Sequence, residues 1–92
     1  MRFRAKVDNN HGEIVDALRK AGCLVRSMAA VGNGFPDLLV CRAGELHLFE
    51  VKNPEWRGKL TDAQQKFILE GWPVHVVTHP FEALHAVELR KG

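Results

Sequence analysis

Gly34-Phe35-Pro36-Asp37-Leu38-Leu39-Val40-Cys41-Arg42-Ala43-Gly44-Glu45-Leu46-His47-Leu48-Phe49-Glu50-Val51-Lys52 is the stretch on which the fold of this chain turns. Leu38–Cys41 and Leu46–Val51 are short apolar runs rich in branched residues, and Arg42-Ala43-Gly44-Glu45 between them has the composition of a turn. The stretch therefore reads as a β-hairpin. Its acids stand at the outer ends: Asp37 opens the first strand and Glu50 closes the second, while Lys52, two residues on, falls on the same sheet face as Glu50.

Convergence of these side chains depends on register. A two-residue turn at Ala43-Gly44, or a four-residue loop from Arg42 to Glu45, pairs Cys41 with Leu46 and sets Asp37 opposite Glu50. Directly paired Cβ atoms lie about 5 Å apart, close enough for two carboxylates to hold one divalent cation. A three-residue turn with Gly44 in the left-handed conformation would instead put the acids on opposite faces, unless a bulge restored the phase. The even register is the expected one.

Outside the hairpin, the 92 residues suffice for one domain, 1–92, with a small core, so a partner copy of the chain is a natural expectation. A composition 46% hydrophobic and 26% charged is that of a globular protein, and a net charge of +2 permits nucleic-acid binding without arguing for it. Cys23 and Cys41 form neither a zinc knuckle nor a disulfide framework and read as small buried hydrophobes. No apolar run spans a bilayer and the N-terminus lacks a signal-peptide core, so the expected compartment is the cytoplasm, with no membrane partner.

In chain order, Met1 to Asp8 is basic and alternating, a short edge strand, an arm or a frayed end. Asn9-Asn10 supplies an N-cap, and Ile14, Val15, Leu18 and Ala21 give a helix over residues 11–21 that Gly22 ends. Glu13, three residues after Asn10, fits a capping box. Cys23 to Ala30 alternates as a strand and Gly32-Asn33-Gly34 breaks it. After the hairpin, Asn53 to Lys59 is a loop in which Arg57 and Lys59 flank Trp56, either a phosphate-binding rim or the edge of the core. Thr61 caps a second helix to Glu70, with Phe67 and Ile68 inward and Gly71 as its stop; Gln64 fits Thr-x-x-Gln capping or a role at the site. Pro73 to Thr78 reads as a buried strand, and Pro80 starts a last helix with Phe81, Leu84, Val87 and Leu89 as its inward stripe. The order αβββαβα, with a hairpin early and a helical crossover late, predicts an α/β fold: a mixed four-stranded sheet flanked by helices in three layers.

Asp37, Glu50 and Lys52 are the strongest constellation, because a divalent metal needs hard oxygen ligands and a nearby ammonium can position or polarise water. Glu-x-Lys alone is usually a surface ion pair; here both members end an apolar strand that faces another strand beginning with aspartate. His11, His47, His75, His79 and His85 are scattered, so no histidine metal cluster is expected. Neither a nucleophile triad nor a phosphate loop is present in recognisable form.

Gly34-Phe35-Pro36-Asp37, Phe49-Glu50-Val51-Lys52 and Leu60-Thr61-Asp62-Ala63-Gln64, taken together, resemble the VRR-NUC family of the PD-(D/E)XK nuclease superfamily over nearly the whole chain, in the stand-alone, phage-type form. The resemblance implies a restriction-endonuclease-like core, with Asp37 and Glu50 as metal ligands, the Val51 carbonyl as a third, Lys52 as the catalytic lysine, and Gln64 and Glu13 as helix residues of the site. It also implies Mg²⁺ or Mn²⁺ and cleavage of DNA, and points to dimeric junction-resolving relatives. The expected activity is metal-assisted phosphodiester hydrolysis on branched or junction DNA by a homodimer, with Arg57, Lys59 and Lys66 as phosphate contacts. A non-catalytic DNA-binding module on the same fold, and a nuclease directed at RNA, are the competing expectations.

Overall fold

The computed structural model, which describes residues 4–56 and 59–88, contains α1 (Arg4–Lys20), β1 (Leu24–Ser27), β2 (Leu38–Arg42), β3 (Glu45–Val51), a 3₁₀ turn at Pro54–Trp56, α2 (Asp62–Leu69), β4 (Val74–Val77) and α3 (Pro80–Glu88). The element order is the expected αβββαβα. The four strands form one mixed sheet in the order β1-β2-β3-β4, antiparallel except for the parallel β3–β4 pair reached through α2.

The hairpin takes the even register. Arg42 pairs with Glu45, Cys41 with Leu46 and Leu38 with Phe49, leaving Ala43-Gly44 as a two-residue turn. Both turn residues have positive φ, 52° and 83°, the combination whose twist suits a tight hairpin. Counting one step outward from Leu38 and Phe49 sets Asp37 opposite Glu50.

One sheet face holds the core. Val25, Leu38, Val40, Phe49 and Val77 meet Ile14 and Leu18 of α1 and Ala83, Ala86 and Val87 of α3. Glu50 alternates with Phe49, so it points to the other face, where α2 brings Gln64, Phe67 and Ile68 against Gly34, Pro36 and Val74. Helix α2 covers only part of that face; Leu24 and Leu46, at the hairpin end, are exposed.

Five expectations are corrected. Helix α1 starts seven residues early, at Arg4, so the stretch up to Asp8 is neither edge strand nor arm from Arg4 onward; Met1 to Phe3 lie outside the described residues. Asn10 is therefore interior to α1 and not an N-cap, and no capping box with Glu13 forms there. Strand β1 is half the expected length. The predicted strand Pro73–Thr78 is an outer strand in which Val77 alone is buried, because β4 ends the sheet. In α3 the inward residues are Ala83, Ala86 and Val87, with Leu84 half-buried and Phe81 exposed against His79; α3 packs on α1, and small side chains permit that approach. Leu89 lies outside the described residues. Both cysteines are free, Cys23 buried as expected and Cys41 only half-buried.

Candidate active site

An open cleft of about 590 Å³ lies at the end of the hairpin away from its turn, lined by Asn10, Ser27, Asp37, Glu50, Lys52 and Gln64 among others. Three elements deliver these groups. Asp37 closes the β2–β3 ladder with its side chain: Oδ2 accepts the Val51 N–H at 2.9 Å, taking an amide that the proline at position 36 has no N–H to reciprocate. Its main-chain carbonyl accepts from Met28 N at 2.7 Å, so the residue is held on both sides.

Glu50 is almost wholly buried, at 3% exposure. Its Oε2 accepts from Gln64 Nε2 at 2.7 Å and lies 3.6 Å from Lys52 Nζ, whereas Oε1 is buried with no hydrogen-bond partner among the described residues. Burial pushes the Glu50 carboxyl up to about 7; the charge of Asp37 pushes the same way and Lys52 pulls it down. Two carboxylates and one ammonium leave the cluster short of positive charge.

Gln64 does both jobs that its position allows. Its Oε1 accepts from Thr61 N at 2.8 Å while its own N–H donates to Thr61 Oγ1 at 3.1 Å, completing a capping box, and the amide nitrogen remains free to bind Glu50. Helix α2 itself is anchored by close backbone approach. Gly34, at φ 84°, lies so near the Ala63 carbonyl that a Cβ there would overlap it.

Val51 lines the same cleft as Asp37, Glu50, Lys52 and Gln64, so five predicted site residues come together. Glu13 does not join them: it is exposed and not among the cleft residues, whereas Asn10 and His11 of the same helix are. Lys59 and Lys66 are exposed outside the cleft lining, and Arg57 lies outside the described residues, as does the side chain of Trp56.

From the sequence Asn10 reads as a helix cap and His11 as one of the scattered histidines, and neither is expected at the site. Asn10 Nδ2 donates to the Lys52 carbonyl at 2.9 Å and to the Thr78 carbonyl at 3.3 Å, tying α1 to the ends of β3 and β4. An asparagine inside an amphipathic helix, on the side bearing the core residues, is the one signal that marked it; its partners are distant in sequence.

The donor set suits a hard divalent cation. The described residues contain no cluster of three or more His, Cys, Asp or Glu side chains that would cage an ion by themselves. Two facing carboxylates, one with a buried oxygen lacking a partner, match the preference of Mg²⁺ for one or two carboxylates with the remaining positions left to carbonyl, water or substrate oxygens. Among the described residues no helix is long and apolar enough to cross a membrane. Compared with models of known families, with curated proteins and with solved structures, the chain has no match.

Proposed function

We propose that the chain is a divalent-cation-dependent nuclease that hydrolyses DNA phosphodiester bonds, selective for branched or junction DNA and acting as a homodimer. One observation carries this reading: Asp37 and Glu50, brought together by an even hairpin register, face a cleft in which Glu50 Oε1 is buried without a partner and Lys52 Nζ stands 3.6 Å from Oε2. A purely structural ion pair would satisfy its buried oxygens, and one that leaves them open costs stability unless a ligand takes them.

Asp37 and Glu50 would hold Mg²⁺ or Mn²⁺ with the Val51 carbonyl, and the bound cation would stabilise charge building on the phosphate. Lys52, fixed through its backbone by Asn10 and by its N–H to the Val77 carbonyl at 2.9 Å, presents its ammonium to an attacking water or a non-bridging phosphate oxygen. Gln64 holds the Glu50 carboxylate in place. Lys59 and Lys66, outside the cleft lining, supply phosphate contacts together with Arg57, and two copies of the chain present the two sites that symmetric cutting needs.

The test is cleavage of branched and linear DNA in Mg²⁺, Mn²⁺ or EDTA. Cutting that requires the metal and disappears in Asp37→Asn, Glu50→Gln and Lys52→Ala is expected. Cutting in EDTA, or full activity in Lys52→Ala, would sink the reading; DNA binding with no cleavage under any metal would favour a non-catalytic module.

A further inference from the structure

Beside the cleft runs a row of aromatic rings. Phe35, two residues before Asp37, meets Phe67 edge-on with centroids 5.5 Å apart, and Phe67 lies one turn beyond Gln64 on α2. Trp72 stacks on Phe67 at 5.4 Å with 21° between the planes, and its Nε1 donates to Glu70 Oε1 at 3.0 Å. One indole face is thus occupied by Phe67 and Glu70 fixes the ring's rotation, yet Trp72 remains 51% exposed. Core packing would turn this surface inward, and a freely solvated tryptophan would not be held from two sides.

A flat ring already held in place loses little side-chain freedom when a second flat ring settles on it, and base-on-aromatic stacking tolerates any base. Position adds to this. Phe67, on which the indole stacks, lines a small recess together with Glu50 and Gln64, so the row of rings adjoins the cleft that those two residues also line. Lys66, exposed and one residue before Phe67, adds a cation on the same helix. Bases inside a duplex have both faces covered by neighbours, so only an unpaired or terminal base can take the indole's open face.

We propose that Trp72 is a nucleobase-stacking platform that receives an unpaired base flanking the phosphodiester in the cleft, making DNA with a single-stranded or branch-point nucleotide the substrate class. The inference rests on the nuclease reading, but its test does not need catalysis. Branched DNA carrying one abasic nucleotide, moved position by position through its unpaired arm, is bound to the full chain in EDTA. One position is expected at which loss of the base weakens binding to the wild type about ten-fold. Trp72→Ala is expected to bind the intact arm about ten-fold more weakly and to ignore the abasic position, with Trp72→Phe restoring most of the affinity. A flat abasic profile with the wild type, no binding by the wild type, or equal affinity of folded Trp72→Ala overturns the platform. The abasic series needs no altered protein, so a variant that fails to fold does not decide the matter. A persistent abasic profile without metal-dependent cleavage would support the platform while removing the nuclease reading.

Discussion

Gln64 bonds Glu50 and Thr61 at once, its Nε2 donating to Glu50 Oε2 at 2.7 Å and its Oε1 accepting from Thr61 N at 2.8 Å. The helix cap and the candidate site therefore share one side chain, which makes their contributions separable by mutation. Thr61→Ala removes the hydroxyl that accepts the Gln64 N–H and is expected to cost about 1 kcal/mol of stability while leaving cation affinity near wild type. Gln64→Ala also removes the donor to a buried carboxylate oxygen, with an expected loss of about 2 kcal/mol and altered Mn²⁺ affinity. Denaturant unfolding with Mn²⁺ calorimetry checks both; identical Mn²⁺ binding in the two variants would show that Gln64 does not shape the site.

Glu50 gives the protein a pH dependence of definite sign. Its carboxyl titrates at about 7 in the fold against 4.5 ordinarily, so its contribution is fully present below pH 4.5 and is lost as pH rises through 7, because ionising it in its buried place beside Asp37 is unfavourable. The loss is on the order of 3 kcal/mol. Melting temperature in EDTA should therefore fall between pH 5 and pH 8 more in the wild type than in Glu50→Gln, which should be the more stable at pH 8. Mg²⁺ should recover the wild type chiefly above pH 7, where the carboxylate is free to ligate.

Gly34 sets how close α2 can come. A Cβ at this position would overlap the Ala63 carbonyl, and φ of 84° is itself unfavourable for a side chain. Gly34→Ala is expected to cost at least about 2 kcal/mol and to weaken the Gln64–Glu50 bond by displacing the helix. Gly44 is the control: its φ is 83° but a Cβ there meets open space, so Gly44→Ala should cost about 1 kcal/mol and leave cation affinity unchanged. Thermal melts and Mn²⁺ calorimetry on the pair check this; equal effects would mean that backbone strain, not helix seating, is what matters.

How much was legible follows the range of the interactions. The hairpin register could be read because the turn between the apolar runs Leu38–Cys41 and Leu46–Val51 is local and its length sets the pairing, and the Thr61–Gln64 box because both bonds close within three residues. The start of α1 was not legible: Asn9-Asn10 resembles a cap, and an asparagine inside a helix is only mildly unfavourable, so nothing nearby said that Asn10 would find Lys52 and Thr78 across 42 and 68 residues. Phe81 misled the reading of α3 because hydrophobicity alone does not show which face another helix approaches; the alanines at 83 and 86 fit against α1 where a phenylalanine would not. Glu13 was carried by resemblance and position alone, and the structure leaves it exposed on α1, outside the cleft lining.

Ala43 is an alanine held at φ 52°, a conformation that glycine, asparagine and aspartate tolerate better. Ala43→Asn creates the Asn-Gly pair that two-residue hairpins prefer and should stabilise the protein by about 0.5–1 kcal/mol. The turn is at the far end of the hairpin from Asp37 and Glu50, so the proposed DNA cleavage and cation binding should not change. A melting temperature at or below wild type would indicate that the turn is not built as described.

Asn10 offers the sharpest separation of scaffold from chemistry, because its two hydrogen bonds end on main-chain carbonyls and its partner Lys52 belongs to the candidate site through its side chain. Asn10→Ala leaves both carbonyls without this donor and loosens the junction of α1 with β3 and β4; the expected cost is about 1–3 kcal/mol. Asn10→Asp keeps the size but turns the donor into an acceptor facing two carbonyl oxygens, and adds an anion to a cleft already holding Asp37 and Glu50. Its stability should fall further than that of Asn10→Ala in EDTA. If the cleft takes a divalent cation, the added charge should make Mg²⁺ or Mn²⁺ restore more stability to Asn10→Asp than to Asn10→Ala, which thermal melts with and without metal measure directly. Equal restoration in both would separate Asn10 from the ion site and leave it a purely architectural tie.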